Sequence, residues 1–238
     1  MDYYIASCVF TSRFPALSQK IQDTIRDRYG LRVVRCCVGN YKLREFEEKM
    51  PEGESRSHWA SLPDSGDFRP GDRVFSLCHN CNNILEELHP GLSVRSLWEL
   101  LDEDAGFPLP AYPGLRVTVQ DCWRSRDRVG EQAAVRSLLG KMGIEYVEAA
   151  ENHGDTAFCG VSLYRPQPPR NPRLAPKHYV EGAEGLFQPH SPQEQEALMR
   201  AYCAGFETET VVCYCHYCLE GLLLGGVDGR HLAQLIFP

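Results

Sequence analysis

VFSLCHNCNNILEEL, residues 74–88, and VVCYCHYCLEGLLLG, residues 211–225, follow one plan. Each has a β-branched, apolar lead-in, then Cys-His-x-Cys, then a Leu-containing stretch. The first carries Cys78 and Cys81, the second Cys215 and Cys218. Similarity at a fixed separation is the mark of an internal repeat, and a repeat fixes the architecture before any single element does. The correspondence extends outward. SVRSLWELL (93–101) answers DGRHLAQLI (228–236), and DYYIASCVFTSR, with a strand-like run ending at Cys8, answers GLRVTVQDCWRSR, with one ending at Cys122. VVRCCVG (33–39) answers DTAFCGV (155–161) less closely. The sequence therefore predicts two half-domains, 1–105 and 112–238, the second with a Pro-rich insertion at 164–193.

Each half reads strand, helix, strand, Cys-x-x-Cys turn, helix. YYIASC, LRVVRCC and RPGDRVFSLC are strands of the first half. LSQKIQDTIRDRYG has helical apolar spacing and ends on Gly30, and YKLREFEEKM is a short helix. In the second half GLRVTVQDC, IEYVEA and TETVVCYC are strands. GEQAAVRSLLGKMG is a helix closed by Gly143, and SPQEQEALMRAYCAG a helix with Ser191 at its N-cap, Pro192 next and Glu194 three residues on. Alternating strands and helices predict an α/β fold, with a small, mostly parallel sheet and flanking helices in each half. Residues 51–72 and 164–193 read as loops. The longer one is either a mobile excursion or a lid or docking surface over the site, and carries Arg165, Arg170, Arg173 and Lys177.

Ligands of open α/β sheets collect at strand carboxyl ends. Cys8, Cys36, Cys78, Cys122 and Cys215 all fall at or near predicted carboxyl ends. The chain has 238 residues and 11 cysteines. Burial as small hydrophobes accounts for Cys203 or Cys213 but not for a doublet and two Cys-x-x-Cys pairs. The odd count and the opening MDYYIASCVF, without a basic leader or a long apolar run, argue against a disulfide framework and for a reduced, cytoplasmic chain. A net charge of −7, with no Lys/Arg cluster, argues against nucleic acid. No apolar run is long enough for a membrane span.

Two thiol sets result: Cys8, Cys36, Cys37, Cys78 and Cys81; and Cys122, Cys159, Cys215 and Cys218. Four thiolates suit a structural zinc or an iron–sulfur cluster. Adjacent strand residues point to opposite faces, so Cys36 and Cys37 must lie in a loop that aims both at one object. A fifth thiol exceeds the needs of tetrahedral zinc and suits a multi-iron cluster. A dithiol oxidoreductase without metal is a weaker reading. Gly39 and Asn40 are candidates to bring backbone N–H groups close to a cluster. Cys37 and His79 are the candidate catalytic residues. His79 and His216, inside the two turns, are either outward-facing turn residues or proton donors and supporting partners. Asp121 reads as a strand-end cap rather than a base.

One cysteine (Cys8), a doublet (Cys36-Cys37) and a Cys-x-x-Cys (Cys78 to Cys81), at these separations and in two copies, resemble the CCG motif of a cysteine-rich family. That CCG-domain family includes the disulfide-cleaving component of heterodisulfide reductase. YYIASC also resembles the family's Tyr-rich first strand. The resemblance implies a noncubane [4Fe–4S] cluster on the first set. It also implies an oxidoreductase subunit that takes electrons from ferredoxin-like or flavin-containing subunits of a complex and acts on a disulfide or thiol substrate. The chain departs from the pattern in two places. Cys36-Cys37 continues to Val38 before Gly39, and Phe158-Cys159-Gly160 stands where a second doublet is expected. The second set is therefore expected to hold an ordinary [4Fe–4S] cluster or zinc, with Cys213 a substitute ligand at most. The rival is a zinc-stapled scaffold that binds a partner and has no redox activity.

Overall fold

A computed structural model of the chain describes residues 1–39, 42–66 and 68–238, the side chain of Leu43 aside. Asn40 thus lies outside the described residues. The chain divides into two compact units, Met1–Leu97 with Phe237, and Trp98–Ile236 with Pro238. Both are α/β and each is built on a four-stranded, all-parallel sheet.

The first unit runs β1 (Asp2–Ala6), α1 (Cys8–Arg13), α2 (Pro15–Tyr29), β2 (Arg32–Arg35), α3 (Leu43–Lys49), α4 (Glu54–Ser61), β3 (Arg73–Ser76), α5 (His79–Leu88) and β4 (Ser93–Ser96), with α6 (Leu97–Glu103) following. Its strand order is β2-β1-β3-β4. Tyr3, Tyr4, Ile5 and Ala6 of β1 are all buried, as a central parallel strand covered on both faces requires. The order turns back between β1 and β3. Right-handed crossovers then place α2 and α5 on opposite faces. Where the order turns back, the carboxyl ends of β1 and β3 bound the crevice in which open α/β sheets take ligands. Gly30, with φ of 65°, closes α2 in the left-handed conformation, as expected from its position.

The second unit repeats this order as β6-β5-β7-β8. It runs β5 (Arg116–Gln120), α7 (Val129–Lys141), β6 (Glu145–Glu148), α8 (Arg170–Leu174), α9 (Pro176–Tyr179), α10 (Pro192–Cys203), β7 (Thr210–Cys213), α11 (His216–Leu224), β8 (Asp228–His231) and α12 (Leu232–Ile236). The reciprocal cap of α10 is present. Ser191 Oγ accepts from Glu194 N at 3.3 Å, and Glu194 Oε2 accepts from Ser191 N at 2.8 Å.

Several elements differ from the sequence reading. The strands β4 and β8 are extra: Ser-Val-Arg-Ser and Asp-Gly-Arg-His are too short and polar to announce themselves, yet they pair with β3 and β7. Residues 51–72 are not only loop. They hold α4, whose Trp59 is fully buried and packs the helix on α2. The segment after it runs beside β2, with Arg35 N donating to Pro63 O at 2.8 Å. The 164–193 stretch holds α8, α9 and short 3-10 turns, and Ala175, Tyr179 and Ala183 in it are buried.

Candidate metal centres

The two units present their cysteines at the same topological place. Cys8 begins α1 just past β1, and Cys78 is the N-cap of α5 just past β3. Cys122 follows β5, and Cys215 is the N-cap of α11 past β7. Each sheet therefore delivers two thiols from the strands that flank its crevice. The second cysteine of each Cys-x-x-Cys, Cys81 or Cys218, lies in the first helical turn. There the free backbone N–H groups and the positive end of the helix favour thiolate.

In the first unit all five thiols are buried. Cys36 has φ of 51°, a left-handed conformation that a side chain adopts at a cost of about 1–2 kcal/mol. Its N–H still reaches Ala6 O at 3.4 Å, continuing the ladder. The chain thus leaves β2 at Cys36, so the doublet need not send its thiols to opposite faces. Cys36 Sγ comes 3.8 Å from Cys8 Sγ. That contact, followed by burial, pushes the Cys8 thiol well above its ordinary value. Hydrogen bonds with Cys37 and Cys78, then burial, do the same to Cys81. Mutual contact and burial thus oppose the thiolate form at Cys8 and Cys81; a bound metal would remove this conflict by replacing the protons. Gly39 is needed here, since a Cβ would meet Ser65 O at 2.8 Å.

In the second unit the four thiol sulfurs of Cys122, Cys159, Cys215 and Cys218 lie within 4.8 Å of one another and all are buried. They have the donor chemistry and spacing to hold a metal ion. Cys122 Sγ is 3.4 Å from Cys159 Sγ. Cys159 comes from a connection, not a strand end, and three contacts seat it. Trp123 N donates to Phe158 O at 2.8 Å, Phe158 stacks on Tyr202 at 4.5 Å, and Gly160 presses backbone to backbone on Gly221 of α11. Burial pushes Cys122 and Cys218 well up, with Cys159 adding to both. Burial works the same way on Cys159, but hydrogen bonds from Cys122 and Cys218 and the charge of Arg124 bring it below its ordinary value. Cys213 is outside the set. It occupies the place of Ser76 in the first unit, two residues before the Cys-x-x-Cys, and its thiol donates to Cys215 O at 3.6 Å.

Arg124 is the residue the sequence did not single out. It is buried, and its Nη1 donates to Cys159 Sγ and, at 3.0 Å, to Ser162 Oγ. Its guanidinium stands 5.2 Å from the Trp123 ring, 5.5 Å from Tyr217, 5.9 Å from Tyr179 and 6.0 Å from Phe187. Tyr179 and Phe187 belong to the 164–193 stretch, so this stretch packs over the second set. The only sequence signal was the pair Trp123-Arg124 beside Cys122.

Asp121 is a structural anchor, as its position suggested. It accepts two bonds from Arg136, at 2.7 and 2.8 Å, one from Tyr214 Oη at 2.6 Å and one from His153 N at 2.9 Å. Arg136 also grips Glu148, so the carboxylates of Asp121 and Glu148 are compensated by one guanidinium. The network fixes the turn that carries Cys122.

His79 and His216 are 2% and 3% exposed. The outward-facing reading is therefore corrected: both are buried, each the first residue of its helix and directly after the first cysteine of its Cys-x-x-Cys. Among the described residues no helix is long and apolar enough to cross a membrane. No protein-family model matches the chain, and no curated protein matches it significantly.

Proposed function

We propose that the chain is an iron–sulfur redox subunit, similar to the disulfide-cleaving component of heterodisulfide reductase, whose reactive centre is the first thiol set. The observation that carries this reading is a set of five buried thiols in the first unit, linked by contacts of Cys8 with Cys36 and of Cys81 with Cys37 and Cys78. Five thiols exceed what one tetrahedral ion uses, and their contacts are pairwise rather than a single tight foursome. The duplicated placement of the second set supports a common ancestral metal-binding role for both halves.

A cluster bound there supplies single electrons to a sulfur-bearing substrate. The chain's own residues provide the rest. Cys8, Cys36, Cys37, Cys78 and Cys81 are the thiolate donors. The first turn of α5 offers backbone N–H groups toward negative charge. Gly39 lets the backbone pass tightly under Ser65. His79, buried at the first position of α5, would be the proton donor to a leaving thiolate. The electrons would come from a ferredoxin-like or flavin-containing partner, and the substrate would be a disulfide or thiol.

The second reading is a zinc-stapled scaffold, favoured by the tight four-thiol set of the second unit. Replacing Cys37 by alanine separates the two. The redox reading expects the visible spectrum and iron content of the anaerobically purified chain to change. An unaltered spectrum and iron content would remove the five-cysteine assignment.

A further inference from the structure

The geometry points to the second thiol set as a closed, single-ion tetrathiolate site of the zinc type, with Arg124 as its built-in counter-cation. This rests on the reading that the second set holds a metal and deepens it by naming which kind. A tetrahedral ion with Zn–S bonds of about 2.3 Å places its sulfurs about 3.8 Å apart. Cys122, Cys159, Cys215 and Cys218 all lie within 4.8 Å of one another, and the Cys122–Cys159 separation is 3.4 Å. In a four-iron cluster each thiolate binds a different iron, so the sulfurs must stand apart across the whole cluster body. The second set is too close for that and right for one ion.

The surroundings match. Four thiolates around a divalent ion carry a net charge of −2, which is costly to bury. Arg124 halves it from inside the protein, through its bond to Cys159 Sγ. Its remaining surface faces the rings of Trp123, Tyr179, Phe187 and Tyr217 rather than water. A planar guanidinium can lie against these rings while keeping its bonds to Cys159 Sγ and Ser162 Oγ, a fork geometry that a point-charge ammonium does not reproduce. Ser162 ties the arrangement together, accepting from Arg124 and donating to Cys159 O at 2.9 Å. No thiol of the set is more than 5% exposed. Structural zinc sites are closed in this way, whereas catalytic ones keep an open position. The two halves of the duplication would thus divide the labour, one holding a fixed ion and the other doing chemistry.

The test measures zinc, iron and acid-labile sulfide on the anaerobically purified full chain and on Cys218→Ser and Cys81→Ser. The expected result is about one single ion per chain, lost in Cys218→Ser with sulfide retained, while Cys81→Ser loses sulfide and keeps the ion. Loss of sulfide in Cys218→Ser overturns the single-ion assignment and leaves the redox reading standing. Absence of sulfide from the wild-type chain sinks the redox reading and leaves this inference standing if the ion is present. A chain that binds no metal overturns both. Should Cys218→Ser fail to fold, cobalt exchange of the wild-type chain decides: a tetrahedral tetrathiolate absorption spectrum supports the site, and its absence refutes it. For Arg124, release of the ion to a chelator should be roughly 10–100-fold faster in Arg124→Met, with Arg124→Lys failing to restore it. Release at the wild-type rate in Arg124→Met would overturn the counter-cation role.

Discussion

Replacing Gly160 by alanine tests how the second thiol set is assembled. Gly160 has φ of 53°, and an added Cβ would run into the carbonyl of Tyr217 and stand 3.1 Å from Gly221 N. Both obstacles are backbone of α11 and cannot swing aside. The left-handed conformation costs a side chain about 1–2 kcal/mol, and forced overpacking adds about 1–3 kcal/mol. The expected loss of stability is therefore roughly 2–5 kcal/mol, the sum of these two effects. Part of this strain would be relieved by pushing residues 158–160 off α11, which moves Cys159 away from Cys215 and Cys218. Metal content should then fall together with stability. The comparison is Gly140→Ala at an exposed position of α7, where the added Cβ meets nothing within 4 Å; there a gain of about 0.5–1 kcal/mol is expected. Urea unfolding of the metal-loaded variants, with metal per chain measured on the same samples, reads both effects. If Gly160→Ala matches the wild type in stability and metal content, the backbone contact does not position Cys159.

Other consequences follow from single residues. Trp59 of α4 is fully buried, and its Nε1 has no hydrogen-bond partner among the described residues. Trp59→Ala should cost about 3–5 kcal/mol, whereas Trp59→Phe, which removes that N–H and keeps a ring, should cost clearly less; equal losses in chemical denaturation would contradict the packing role. The side chain of Glu148 is 37% exposed, and although what burial it has opposes its charge, hydrogen bonds from Arg136 hold its carboxyl below the ordinary value of 4.5. A depressed carboxyl contributes stability that is present above its unfolded value and lost as pH falls through the folded one. Glu148→Gln should therefore be less stable than the wild type at neutral pH, with the gap closing below about pH 4.5. A gap that widens on acidification, in urea midpoints taken across this range, would show the sign to be wrong.

Much of this was legible because the chain says it twice. The strand–helix alternation, the helix closed by Gly30, the capped helix at Ser191 and the placement of cysteines at strand carboxyl ends all have local signatures that the repeat reinforces. β4 and β8 were not legible. An edge strand of four residues needs no apolar alternation, and its pairing is dictated by the neighbour it lands on. α4 hid in a polar, turn-rich stretch because Trp59 is its single buried residue and its other ties are polar bonds to α2 and α3. The 164–193 stretch looked loose for its prolines, yet Tyr179 and Phe187 bind it to Arg124. Arg124 and Arg136 were missed for a shared reason, whereas the two histidines were singled out with their burial left open. Charged side chains are normally exposed, and only three-dimensional proximity to thiolates or to Asp121 makes burial worthwhile for the arginines.

What the first thiol set holds decides whether the chain is a redox protein. The chain should be purified without oxygen, and iron and acid-labile sulfide measured per chain, with electron paramagnetic resonance on the oxidised sample. An iron–sulfur redox centre predicts about four irons with matching sulfide and a paramagnetic signal from the oxidised cluster, all changed in Cys37→Ala. A colourless chain containing zinc and no sulfide would contradict it.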